Sequence, residues 1–246
     1  YLLYARGYNL MAIIYSAVTD GFVRRSGQSS WGNARDTADG TLAKPSDSQS
    51  SLAASAAMVS GRSGDEWYVY RSFFAFDTSV VSGPVSTASL KLYGYIYGDG
   101  DVIAVKCDSS IGLSLTTDVA VADFDELENF VAGSTGSMNG VVTAYSAEVP
   151  TWSTSGYNSM SLNATARSDI EDDDLVIICL LEYDHDFLDV APSAYNAYRS
   201  GCYYQEESGT GKDPYLDYTL AAYGHTVTGV ASANISKVKG VATASI

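Results

Sequence analysis

Apolar residues recur along this chain at every second position, in short runs broken by Gly, Ser, Asp and Pro, and almost nowhere at helical spacing. The clearest run is Trp67 to Asp77. Tyr68, Tyr70, Phe74 and Phe76 share one face of it, and Val69, Arg71, Phe73 and Ala75 the other, so a strand buried on both sides is predicted. From Ala88 to Tyr97 the two faces differ: Ala88, Leu90, Leu92, Gly94 and Ile96 read as core, while Lys91, Tyr93, Tyr95 and Tyr97 look outward. Gly98-Asp99-Gly100-Asp101 supplies a turn into the next strand, Val102 to Lys106, because Gly and Asp tolerate positive φ. Further strands are predicted at Gly21 to Arg25, Leu52 to Val59, Asn158 to Ala164, Leu175 to Glu182 and Tyr215 to Leu220. One short helix is predicted at Asp123 to Val131, whose acidic start complements the helix dipole.

These elements predict an all-β fold: an antiparallel two-sheet jelly-roll sandwich with at most one short helix, spanning residues 20–221. Residues 1–19 read as an N-terminal arm, the first ten standing ahead of Met11 as an extension. From residue 222 small residues take over in a self-similar pattern, Val227-Thr-Gly-Val-Ala-Ser-Ala-Asn-Ile-Ser-Lys237 followed by Val238-Lys-Gly-Val-Ala-Thr-Ala-Ser-Ile246. Two partial copies of an eleven-residue repeat bury little on their own, so residues 222–246 read as a tether or docking segment.

Composition narrows the function. With 46% apolar and 17% charged residues the chain can build a core, and its length of 246 fits one large sandwich. A net charge of −15, from 29 acidic against 14 basic residues, repels phosphate backbones and argues against nucleic acid as a partner. The same charge makes a bound calcium ion reasonable. The apolar start carries Arg6 and Asn9 and fits neither a signal peptide nor a membrane span, so no membrane partner is expected. Cys107, Cys179 and Cys202 form no disulfide framework, and Cys179, within Leu175 to Leu181, reads as a small buried hydrophobe.

Catalytic constellations are hard to find. His185, between Asp184 and Asp186, reads as a solvated turn histidine, and His225 opens the repeat segment. No carboxylate pair stands out for glycoside hydrolysis; Asp172-Asp173-Asp174 reads as a solvated turn before a buried strand. Asp184, Asp186 and Asp189 gather three hard oxygen ligands in one loop and form a calcium candidate, without the spacing of an EF-hand. Arg71, on an otherwise apolar strand, needs a carboxylate partner, for which Asp77 and Glu182 are the candidates. The tyrosines Tyr93, Tyr95, Tyr97, Tyr203 and Tyr204, with Trp152, are candidates either for stacking sugar rings or for packing against another subunit.

The stretch Tyr70-Arg71-Ser-Phe-Phe-Ala-Phe76-Asp77-Thr78-Ser79, followed by Ser86-Thr-Ala88-Ser-Leu90-Lys-Leu92, resembles the DNRLRE-type β-sandwich domains. Leu162-Asn163, Tyr203-Tyr204-Gln205-Glu206 and Asp213-Pro214-Tyr215-Leu216-Asp217-Tyr218 resemble that family's closing strands. The resemblance covers roughly residues 20 to 220 and implies a jelly roll of the kind found in carbohydrate-binding proteins and in phage structural proteins. It implies a second calcium candidate near the first and last strands, at Asp20 and Asp217, and transfers no catalytic residue. The repeat phrase Ile235-Ser-Lys-Val-Lys-Gly-Val-Ala242 resembles repeats that accompany virion proteins.

Together these features lead to a non-enzymatic structural protein of a phage or virus particle, located on the virion or outside the cell. In this reading it is a capsid decoration, tail or fibre component that assembles with itself or with other particle proteins and also contacts surface glycans. A carbohydrate-binding module of an extracellular protein and a polysaccharide-degrading enzyme are the rival readings.

Overall fold

The computed structural model describes residues 11–45, 50–61, 64–193, 195–205 and 209–221. The extension ahead of Met11, the repeat segment from residue 222, His225 and Glu206 lie outside the described residues. The described residues form eleven strands: β1 (Met11–Tyr15), β2 (Gly21–Gln28), β3 (Leu42–Pro45), β4 (Ser50–Gly61), β5 (Gly64–Asp77), β6 (Val85–Gly98), β7 (Val102–Lys106), β8 (Tyr157–Ser161), β9 (Leu175–Glu182), β10 (Ala197–Tyr203) and β11 (Tyr215–Leu220). Every strand ladder among them is antiparallel. The chain is thus mostly antiparallel β-sheet, as the alternating pattern predicts. No helix among the described residues is long and apolar enough to cross a membrane.

The two longest strands, β5 and β6, change partners along their length. The first half of β5 lies between β4 and β2, and its second half, Ser72 to Asp77, pairs with β9, which in turn pairs with β7. Strand β6 pairs with β11 and β8 through its first half and with β10 through Gly94 to Tyr97. One layer therefore reads β1-β11-β6-β8 and the other β3-β2-β5-β9-β7, with β10 and β4 bonded to each other and linking the two. Gly94 is required where β6 passes under the 153–156 loop, since a Cβ there would fall 1.7 Å from the Ser153 carbonyl oxygen. At Gly100 the added carbon would sit 2.3 Å from the Arg199 backbone nitrogen, so the turn into β7 has no space for a side chain.

The pattern of faces explains the layers. Ala88, Leu90 and Leu92 of β6, Leu216 and Tyr218 of β11 and Met160 of β8 meet Phe74 and Phe76 of β5 and Ile178 and Leu180 of β9 in a first core. The opposite face of the second layer carries Val69, Phe73 and Ala75 of β5 and Cys179 and Leu181 of β9 into a second core. That core is roofed by Phe124, Leu127, Met138 and Phe187, from the long irregular connection after β7 and the turn after β9. The continuous apolar run of β9 and the two apolar faces of β5 thus have one cause: this sheet is covered on both sides. Each such side chain removed from water contributes about 1.5–3 kcal/mol.

The single-helix expectation is corrected. Helices form at Trp31–Arg35 (α1) and Ala164–Asp172 (α2), with a 3-10 turn at Val121–Asp125 and a π-type turn at Tyr183–Phe187. The helix predicted over Asp123 to Val131 stops after its first turn, because Asn129 adopts a left-handed φ of 67° and Leu127 drops into the second core. Strand β8 ends at Ser161 rather than Ala164 because the Asn163 side chain caps α2, accepting from the Ala166 amide at 3.1 Å, while Ala166 and Ile170 pack in the first core. Met11 to Tyr15, read as part of an arm, pairs residue for residue with Tyr215 to Thr219.

A polar knot fastens the roof of the second core. Arg71 is fully buried and grips the Asp186 carboxylate with both Nε (2.8 Å) and Nη2 (2.7 Å), so its partner is neither Asp77 nor Glu182. It also donates to the Phe124 and Arg35 carbonyls and lies over the Phe124 ring at 4.2 Å. Burial pulls the Arg71 pKa down, but the charge and hydrogen bonds of Asp186 outweigh it and hold the guanidinium above its ordinary value. Arg35, also fully buried, donates to the Asp186 and Gly136 carbonyls and pairs with Asp36.

Candidate functional site

The first layer has one bare face. Strand parity that sends Leu90, Leu92, Leu216, Met160 and Ile14 inward turns Tyr93, Tyr95, Tyr215, Tyr157 and Tyr15 outward, and Tyr203 of β10 joins them at the layer's border. Six rings form an unbroken row: Tyr15 to Tyr215 (5.9 Å between centroids), Tyr215 to Tyr157 (5.0 Å), Tyr157 to Tyr93 (5.3 Å), Tyr93 to Tyr203 (5.7 Å) and Tyr203 to Tyr95 (5.6 Å). All five contacts are edge-on, the geometry the ring quadrupole favours. Register produces the row: Tyr15 lies directly opposite Tyr215, and Tyr93 directly opposite Tyr157.

The interior of the row is held and its ends are open. Tyr93 donates to the Ser155 carbonyl at 3.0 Å and Tyr157 to the Asp213 carbonyl at 3.2 Å. The Lys212 ammonium stands 3.9 Å from the Tyr203 ring centroid and 5.8 Å from that of Tyr93. Burial, then the neighbouring Tyr215, Tyr15, Asp213 and Tyr93, push the Tyr157 phenol up to about 12, so it stays neutral across physiological pH. At one end Tyr95 is 48% exposed with Tyr97 beside it; at the other Tyr15 adjoins Ile13 and Met11, which are 51% and 71% exposed. An outward sheet face this rich in aromatic and apolar surface is the kind of patch that contacts a partner.

Two residues leave the candidate surface set. Tyr204 is buried in the first core, stacked on Phe74 at 5.6 Å with its hydroxyl 2.6 Å from Ser72 Oγ. Trp152 is buried beside it and donates through Nε1 to the Gly201 carbonyl. Tyr204 follows Tyr203 directly, and successive strand residues face opposite ways. Tyr15, Tyr157, Tyr215 and Lys212, not singled out from sequence, complete the row; outward parity in each strand was their only signal.

The calcium candidates are placed apart. Asp184 is exposed, Asp186 is locked on Arg71, and Asp189 accepts from Trp31 Nε1 at 2.9 Å and the Gly136 amide, with Arg35 at 3.6 Å. Two guanidinium groups supply the positive charge at this loop. Asp20 is buried and accepts from Ser16 Oγ at 2.7 Å, whereas Asp217 stands on the outward side of β11 opposite Ile13 and Ser89. Among the described residues no group of three His, Cys, Asp or Glu side chains is arranged to hold a metal ion. His185, expected in a solvated turn, is buried: its Nδ1 lies 2.6 Å from the Val190 carbonyl and its ring 4.1 Å from that of Tyr198.

An all-β protein with one sheet covered on both faces and another paved with tyrosine on its outer face is the class these features define. No protein-family model matches the chain, and no curated protein matches its sequence.

Proposed function

We propose that this chain is a non-enzymatic structural protein of a phage or virus particle, a jelly-roll domain whose tyrosine-paved face is its contact surface for assembly. The row of six tyrosines on the outer face of the β1-β11-β6-β8 layer carries this reading. Tyrosines already fixed by ring contacts and carbonyl hydrogen bonds lose little further freedom on docking, and they offer both apolar area and hydroxyls. The resemblance of Tyr70 to Leu92 to DNRLRE-type domains and the eleven-residue pattern after residue 222 support the particle setting. A charge of −15 keeps such a protein soluble until its partner is met.

Light scattering at 0.15 M and 1 M salt, on the full chain and on Tyr95→Ser/Tyr203→Ser, tests the reading. Self-repulsion is screened at the higher salt, so the wild type is expected to gain mass there while the variant stays monomeric with an unchanged circular dichroism spectrum. A second reading, glycan binding, is favoured by the exposed Tyr95 ring and by the Lys212 ammonium over the adjoining Tyr203 ring. It predicts a monomer retarded in polysaccharide-containing gels, with the retardation lost in the variant. A monomer that no polysaccharide retards would overturn both.

A further inference from the structure

Away from the tyrosine face, a cleft of about 490 Å³ opens where the roof of the second core lifts from the β7-β9 edge. Partly exposed Ile111, Leu175 and Ile177 line it together with the carboxylates Asp108, Asp173 and Asp174. The volume lies within the usual range for small-molecule sites.

The charges around it are unevenly matched. Among the described residues Lys106 is the cation lining the cleft, and its ammonium is already held by Glu128 at 3.3 Å and by Asp169 at 3.0 Å. Thr143 Oγ1 fixes the other Glu128 oxygen, and the buried Tyr145 hydroxyl donates to Asp169, so this network is rigid and its positive charge is engaged. Among the described residues no lysine or arginine lies within ion-pair distance of Asp108, Asp173 or Asp174. Hydrogen bonds from the Ser110 amide and hydroxyl hold Asp108 in its charged form, below the ordinary carboxylate range. Burial first, then the neighbouring Asp169, with Asp172 and Asp174, push Asp173 the other way, and the charge of Lys106 opposes them.

Three ligand classes can be weighed against this lining. An anion meets uncompensated carboxylates. Among the described residues a sugar ring finds no exposed aromatic face here, since Tyr145, the aromatic residue that lines the cleft, is 1% exposed. A methylene chain ending in ammonium groups matches both kinds of lining, its stem on Ile111, Leu175 and Ile177 and its heads at the carboxylates.

We propose that this cleft binds an alkylammonium ligand, either a free polyamine or the lysine side chain of another protein. The inference does not depend on the role of the tyrosine face. Isothermal titration calorimetry of the full chain with spermidine at 0.15 M salt tests it, against Asp173→Asn/Asp174→Asn and the charge-matched control Asp65→Asn/Asp99→Asn outside the cleft. Binding of one spermidine, weakened at least tenfold by the cleft pair and less than twofold by the control pair, is the expected result. Nα-acetyl-lysine amide separates the sources: comparable binding identifies a protein lysine, and binding of spermidine alone a free polyamine. Absence of binding, equal loss in both variants, or equal displacement by magnesium chloride at matched ionic strength would overturn the proposal, since each reports only diffuse attraction to a chain of charge −15.

Discussion

The two outer surfaces of the paired sheets have been finished in opposite ways. The β3-β2-β5-β9-β7 layer is roofed by some thirty residues of irregular chain and a buried Arg71–Asp186 pair, whereas the β1-β11-β6-β8 layer ends in half-exposed tyrosines. A roof of loops can bury a sheet face only if its backbone polar groups are satisfied. The guanidinium groups of Arg71 and Arg35 do this, together donating to the Phe124, Arg35, Asp186 and Gly136 carbonyls. The tyrosine face needs no such roof, because its rings satisfy one another edge to face and their hydroxyls reach loop carbonyls or water. One face is therefore closed over and the other left open, and substitutions should separate the two.

The largest effect is expected at the roof. Arg71→Met strips the buried Asp186 carboxylate of its two hydrogen bonds, leaving only Arg35 Nε at 3.7 Å, and frees the Phe124 carbonyl; a broken buried pair costs about 3–5 kcal/mol. Urea denaturation should show that loss, and Arg71→Met/Asp186→Leu should recover a large part of it. A loss below about 1 kcal/mol would mean the roof is held by apolar packing alone.

Glu182, at the start of the π-type turn, sharpens the same contrast through pH. Burial raises its carboxyl to about 8, with Asp184 and Asp186 adding to the shift and the His185 and Asp186 amides opposing it. The folded state therefore keeps a proton that the unfolded chain releases near the ordinary 4.5. Stability is full below pH 4.5 and falls as pH rises to about 8, by up to ~1.4 kcal/mol per pH unit. Glu182→Gln should flatten this slope and make the protein more stable than the wild type at pH 8, read from urea midpoints across the range. A wild-type profile flat from pH 5 to 8 would contradict the buried neutral carboxyl.

The contrast between the faces was half legible in the sequence. Short apolar runs between turn residues mark β5, β6, β7, β9 and β11, and period-two alternation separates the faces of β5 and β6, because a strand's faces depend only on its own residues. What joins strands was hidden. Arg71 meets Asp186 across 115 positions of chain, and no local pattern points from a β5 arginine to a turn after β9. The outward parity of Tyr93 and Tyr95 could be read, but Tyr15, Tyr157 and Tyr215 enter the row only through register. Tyr204 turns inward directly after the outward Tyr203, whereas Trp152 lies in a loop, where no period shows which way a side chain points. The roof escaped altogether: between Asp108 and Val142 apolar residues reach the core from turns, which have no period to detect.

The smallest effects belong to the bare face, and there position along the row sets the order. Tyr157 touches Tyr215 and Tyr93 and donates to the Asp213 carbonyl, so Tyr157→Ala removes two ring contacts worth about 0.5–1.5 kcal/mol each and one hydrogen bond. A loss of about 2 kcal/mol in urea denaturation is expected. Tyr95 touches only Tyr203 in the row and is 48% exposed, so Tyr95→Ser should stay within about 0.5 kcal/mol of the wild type while abolishing any association through this face. Equal losses at the two sites would make the row a structural stripe in which every tyrosine packs alike. Unequal losses, with association lost in the variant that costs no stability, would mark the Tyr95 end as the part of the face left for a partner.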